Sequence, residues 1–255
     1  MTLATAAFLF AVGIIAGFIN ALAGGSGFLA FPAFIAAGLP PISANASAFV
    51  SLAPANIVGF AANIPALKKA QHSLPVRSAI AVAGGVLGSL ILISTGPQAF
   101  QRAVPWLLTI ATLLFALGPW LKARLEQGYG FQGHRFPLVL YGFEFVICIY
   151  GGYFGLGMGI VMLAIYELLG QDNILVANAV KNFVITLVTL IGIFLFAAAG
   201  LIAWIPAVIM GAGTAVGGYV STLLALHVSR RLLRSFILLW AVVLTAYAFA
   251  NYAAG

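Results

Sequence analysis

Long apolar runs with almost no charge inside them are the feature that most restricts this chain. Stretches of about 20 apolar residues are enough to cross a bilayer as a helix. They recur at roughly 3–23, 44–66, 76–96, 104–121, 137–156, 175–198, 203–226 and 233–252. Only 6% of the residues are charged, against about 25% in a soluble domain. So few charges cannot cover a water-soluble surface. The chain therefore reads as an all-α polytopic membrane protein whose first partner is the lipid bilayer. The formal net charge of +7 does not indicate nucleic acid. The basic residues stand singly or in small groups between apolar runs, as in loops beside an anionic leaflet. Cys148 has no second cysteine to pair with. The opening "MTLATAAFLF" lacks a positive n-region, so no cleaved signal peptide is expected.

Two apolar pieces, 27–38 and 158–169, are too short to span, and each follows a glycine cluster. The clusters are Gly24-Gly25-Ser26-Gly27 and Gly155-Leu156-Gly157-Met158-Gly159. The surrounding order repeats. "SANAS" at 43–47 answers "VANAV" at 176–180, an offset of 133 shared by Gly24 with Gly157 and by Gly59 with Gly192. Gly84-x-x-x-Gly88 answers Gly213-x-x-x-Gly217. Two transmembrane repeats are expected, 1–121 and 137–255, joined by a polar linker at 122–136. Each holds a glycine-broken helix and half-helix pair plus three spanning helices.

The basic groups are Lys68, Lys69 and Arg77; Lys122, Arg124 and Arg135; and Arg230, Arg231 and Arg234. If each long-plus-short pair makes no net crossing, all three groups fall inside, as positive-inside topology requires. The two repeats are then inverted, an arrangement common in secondary transporters. This reading places Arg77 in a loop and both termini outside.

Glycine permits positive φ and close backbone approach. Irregular backbone at membrane depth is tolerated only where it is buried in protein or lines a cavity. Free N–H groups opening into the two short helices would aim positive dipole ends at an anion. Gly24, Gly25, Ser26, Gly27, Gly155, Gly157 and Gly159 are accordingly candidate substrate-binding positions. The competing reading is that these glycines only permit tight helix packing.

The helices after the clusters supply polar side chains. Asn45 and Ser47 sit near the start of the first, and Asn178, Lys181 and Asn182 share one face of the second at i, i+3 and i+4. Polar groups inside a span are expensive and face the bundle interior. Asn45 and Asn178 can also act as helix caps. Lys181 either snorkels to an interface or needs a negative partner, which could be Glu144 or an anionic substrate. Glu144 is in turn a counter-ion for Lys181 or a proton carrier in coupled transport. His72, His134 and His227 show no metal-ligand spacing, and neither a metal nor a cofactor is expected.

Gly24-Gly25-Ser26-Gly27 also fits the Gly-x-Ser-Gly of rhomboid-type intramembrane proteases. Such a serine needs a histidine at membrane depth. No histidine is placed for it unless His227 lies deeper than its helix end suggests. The second cluster carries Met158 and no serine, so the repeat preserves glycine and not a nucleophile.

"AGFINALAGGSGFLAFPAFIAAGLPPISANAS", with Gly38-Leu39-Pro40-Pro41 and Ala44-Asn45-Ala46-Ser47, resembles the opening repeat of the TauE/SafE sulfite exporter family. "GGYFGLGMGIVMLA", "NAVKNFV" and "AAAGLIAWIPAVIMGAGTAVGGYVS" resemble its second repeat. The chain departs from the pattern at Thr189, where members often have asparagine, and at Ala203, where many have an acid. The resemblance implies a bacterial inner-membrane transporter of sulfite and organosulfonates rather than an enzyme. Secondary active export by alternating access is the default, with a passive anion channel as the alternative. Oligomeric state, including a homo-oligomer, is left open.

Overall fold

The computed structural model of the protein describes residues 1–22, 25–126, 136–168, 174–224 and 230–252. Among these residues there are helices and turns and no strand. In chain order the helices are α1 (Leu3–Leu22), α2 (Gly27–Ala36), α3 (Pro41–Ala62), α4 (Ile64–Leu67) and, after a 3-10 turn (Lys68–Ser73), α5 (Leu74–Ser94). They continue with α6 (Pro97–Glu126), α7 (Phe136–Tyr153), α8 (Met158–Leu168), α9 (Ile174–Ala198), α10 (Trp204–Leu224) and α11 (Arg230–Tyr252). Six described stretches are long and apolar enough to cross a membrane, within α1, α3, α4–α5, α6, α9 and α10.

Local chemistry explains several boundaries. Proline opens α3, α4 and α5 at the first or second position, where the missing N–H would be unsatisfied anyway. α2 and α9 end alike on a glycine at positive φ, +89° at Gly38 and +69° at Gly200. In both, the next residue donates its N–H back five residues, Leu39 to Phe34 O and Leu201 to Phe196 O. This closes the last turn as a Schellman motif. α6 is longer than the apolar run 104–121, because Gln98, Gln101 and Arg102 lower hydropathy without opposing a helix. The first residues of the expected linker, up to Glu126, are also helical.

Helix pairing is alike in the two halves of the chain. α1 packs along α10, and α7 packs along α5. α3 meets α10 as α9 meets α5, while α3 crosses α9 and α6 crosses α11. Two hydrogen bonds join residues separated by the repeat offset of 133: Asn56 Nδ2 to Thr189 Oγ1, and Thr112 Oγ1 with Thr245 Oγ1, both at 3.2 Å. Equivalent residues therefore face each other across the α3–α9 and α6–α11 seams. The small residues serve close approach. An ideal Cβ on Gly213 or Gly217 would run into the backbone of α1, and one on Gly84 or Gly88 into α7. Large apolar side chains such as Phe194, Ile205 and Tyr219 point outward, as a lipid-facing surface requires.

One expectation is corrected here. Arg77 is not a loop residue. It lies in the first turn of α5, is 2% exposed, and is inside the bundle. Its guanidinium pairs with Glu144 of α7 at 2.6 Å. A buried charge persists only when paired and hydrogen-bonded, and Glu144 supplies that pairing.

Candidate functional site

The chain leaves α1 and enters α2 through a sharp turn at Gly25, whose φ is +84°. Ser26 then occupies the N-cap position of α2 without capping it. Its hydroxyl instead donates to Asn20 Oδ1 at 2.8 Å. The second half repeats this turn between α7 and α8, with Gly155 at φ +75° and Gly157 at φ +76°. Tyr150 clamps that turn by donating its hydroxyl to Leu156 O at 2.7 Å. Trp240 of α11 pins the first turn of α2 through Phe28 O at 3.0 Å. Positive φ is strained for any residue with a Cβ, which is why glycine stands at these positions.

Both turns open onto one cavity of about 320 Å³. Gly25, Ser26 and Gly27 line it from the first turn, and Gly155, Gly157 and Gly159 from the second. α9 adds Lys181, Asn182 and Thr189. Asn20 and Asn56 add further amides, and Phe49, Phe115 and Phe154 line the apolar remainder. Lys181 extends over the start of α8, with its Cδ 3.9 Å from where a Cβ on Gly159 would stand. Its ammonium donates to Asn178 Oδ1 at 2.7 Å. Among the described residues it makes no ion pair. The cavity therefore combines the positive ends of two short helices with a lysine held by a neutral amide. Each helix start carries roughly half a positive charge, so the field inside suits an anion.

Eight of the thirteen candidate positions thus meet in the cavity: Gly25, Ser26, Gly27, Gly155, Gly157, Gly159, Lys181 and Asn182. Asn178 reaches it through Lys181. Gly24 lies outside the described residues. Asn45 and Ser47 are elsewhere, fully buried. The Asn45 amide donates to Tyr153 O at 3.0 Å, and Ser47 Oγ accepts the N–H of Ala203 at 3.0 Å. Both tie backbone ends between the two halves, so their polarity serves packing. Glu144 is not the counter-ion of Lys181, because Arg77 holds it.

Sequence reasoning missed Asn20 and Asn56. They form a chain from Ser26 through Asn20 and Asn56 to Thr189, the middle link an Asn20 Nδ2 to Asn56 Oδ1 bond of 3.3 Å. Two signals for it were present: each is an amide inside an apolar run, and Asn56 stands 133 residues before Thr189. Among the described residues, no three His, Cys, Asp or Glu side chains gather as metal ligands.

A family profile described as sulfite exporter TauE/SafE matches residues 9–248. The chain belongs to the TauE/SafE family. Curated relatives match it over more than nine-tenths of its length. It is 27% identical over 251 residues to the "Probable membrane transporter protein ORF9" of Sinorhizobium sp, covering 93% of this chain and 90% of that one. It is 27% identical over 243 residues to the "Probable membrane transporter protein YfcA" of Escherichia coli (strain K12), covering 93% and 87%. It is 29% identical over 248 residues to a "Probable membrane transporter protein" of Haemophilus influenzae, covering 94% and 92%. No solved structure matches it significantly. The TauE/SafE assignment and the helices make the chain a multi-pass membrane transporter protein. The cavity between its two glycine turns is the candidate site.

Proposed function

We propose that this TauE/SafE protein moves small sulfur oxyanions across the bacterial inner membrane, sulfite first and organosulfonates second. The observation that carries the reading is the convergence of both glycine turns and Lys181 on one cavity. Two helix starts offer N–H donors to an oxyanion, Asn182 adds a side-chain donor, and Lys181 adds the charge. The cavity holds the volume of about ten waters, at ~30 Å³ each. A four-atom oxyanion therefore enters with water around it, and an organosulfonate fills more of the space against Phe49, Phe115 and Phe154.

The transport mode we favour is secondary active export by alternating access. The paired arrangement of the helices supports it, because two similar units facing each other can rock about the seam between them. The inverted orientation of the repeats belongs to the same proposal. Proteoliposomes loaded with sulfite, sulfate or taurine test it. Saturable sulfite efflux that exceeds sulfate efflux is expected. Absence of flux for every anion overturns the transport reading, and non-saturating flux replaces the carrier with a channel.

A further inference from the structure

The ion pair between Arg77 and Glu144 plays no part in the cavity. It sits inside the second apolar core, among Ala81, Cys148, Met162, Ala177, Val180 and Val184. Its two side chains are 2% and 0% exposed. The fold itself offers a control for what it does. The α5–α7 interface has a counterpart in α1–α10, built from the same close glycine approach. That counterpart carries no ionisable side chain at the equivalent depth, where Leu9, Ala16, Ala207 and Met210 are buried. Packing of this kind does not need an ion pair, and a buried pair is often no more stable than an apolar replacement.

The pair is also incompletely satisfied. Arg77 donates Nη1 to Glu144 Oε2 at 2.6 Å and Nε to Ser73 Oγ at 3.2 Å. Glu144 Oε1 has no hydrogen-bond partner, and neither has the hydroxyl of Tyr166, which is 1% exposed. Tyr166 belongs to α8, and its ring lies 4.8 Å from the Arg77 guanidinium carbon. The hydroxyl approaches the Glu144 carboxyl closely enough to interact with it, but outside hydrogen-bonding geometry. Two neighbouring buried polar atoms left open call for an occupant. On α7 itself, Tyr141 faces the Arg77 guanidinium, and Cys148 lies close enough to Glu144 to feel its charge. α9 contributes apolar side chains such as Val180 and Val184 to this core.

We propose that Glu144 is a proton-binding site whose occupancy sets the position of α8, and with it the Gly157–Gly159 wall of the anion cavity. The step is one proton. Deprotonated, the carboxylate is held by Arg77 through Oε2, with Oε1 near the Tyr166 hydroxyl but not bonded to it. A proton from the aqueous phase adds to Oε1 and neutralises the carboxyl. The hold of Arg77 weakens, and the new O–H donates to the Tyr166 hydroxyl, drawing α8 toward α7. Loss of the proton restores the pair with Arg77. α8 carries Gly159 at one end and Tyr166 at the other, so a shift at Tyr166 is felt at the cavity. What the proton drives rests on the transport reading above; that Glu144 binds it does not.

The chain has four acidic residues, so carboxyl infrared difference spectroscopy on the purified protein in nanodiscs is tractable. On acidification, a protonated-carboxyl stretch from one buried group is expected. It should vanish in Glu144→Gln and shift in frequency in Tyr166→Phe, which keeps the ring and loses the hydroxyl. If Glu144→Gln does not fold, Arg77→Gln/Glu144→Gln removes both charges and serves as the blank. An identical spectrum in the blank and the native protein overturns the proton site. In proteoliposomes, a pH gradient should drive sulfite accumulation above equilibrium; accumulation indifferent to the gradient overturns the coupling. Sulfite flux without the Glu144 band sinks this inference alone, and the band without any anion flux sinks the transport reading alone.

Discussion

Neighbouring glycines in α10 should respond in opposite directions to the same substitution. At Gly217 an added Cβ would overlap the carbonyl oxygen of Ile14 and lie 2.7 Å from Ile14 C and 2.9 Å from Ile14 Cα. Ordinary contact begins near 3.4 Å, so α1 and α10 must part by at least ~0.7 Å. The obstacle is backbone and cannot rotate away. Overpacking of this kind costs about 2–3 kcal/mol. At Gly218 no heavy atom lies within 4 Å of an added Cβ. Alanine there gains up to about 1 kcal/mol of helix propensity. Adjacent Gly→Ala changes should therefore differ by about 3 kcal/mol, or roughly 6–12 °C in Tm at this size. Thermal unfolding in detergent, followed by intrinsic fluorescence, measures it. α1 leads directly into the Gly25 turn, so Gly217→Ala should also slow anion flux. Equal stability of the two variants would refute the claim that α1 and α10 meet backbone to backbone.

Other outcomes follow from the same geometry. Gly157→Ala should lose about 1–2 kcal/mol from positive-φ strain, although its nearest neighbours are 3.7 Å away; thermal unfolding checks it. Arg77→Met should destabilise by about 3–5 kcal/mol by stranding Glu144, and Arg77→Met/Glu144→Leu should recover most of that loss in the same assay. Ser26→Ala removes one donor to Asn20 and should leave sulfite flux largely intact, with no labelling of Ser26 by a fluorophosphonate in the native protein.

Much of the helix layout was legible in the sequence. In uncharged runs, length and apolarity alone decide whether a segment can span, and glycine at a sharp turn is a backbone requirement visible in one dimension. The offset of 133 was equally legible, but not that residues 133 apart, such as Asn56 and Thr189, would bond to each other. Side-chain partnership was not. Arg77 stands close after Lys68 and Lys69 and averages into a basic loop. Its partner Glu144 is 67 residues away, so only packing reveals the pair. Asn45 and Ser47 carried the same signal as Asn182, an amide or hydroxyl within an apolar span. The structure spends them on Tyr153 O and Ala203 N, whereas Asn182 gives one amide hydrogen to Gly59 O and still lines the cavity. Sequence shows that a polar group must be satisfied, but not by what.

The central claim is that Lys181, between the two glycine turns, holds the anion. Equilibrium binding of sulfite to purified native protein and to Lys181→Met tests it most directly. Methionine keeps the length of the stem and removes the charge. A hydrogen bond to a charged group contributes about 1.5–3 kcal/mol. The account therefore predicts roughly 10–150-fold weaker binding with no loss of thermal stability. Binding within about threefold of the native protein would contradict it.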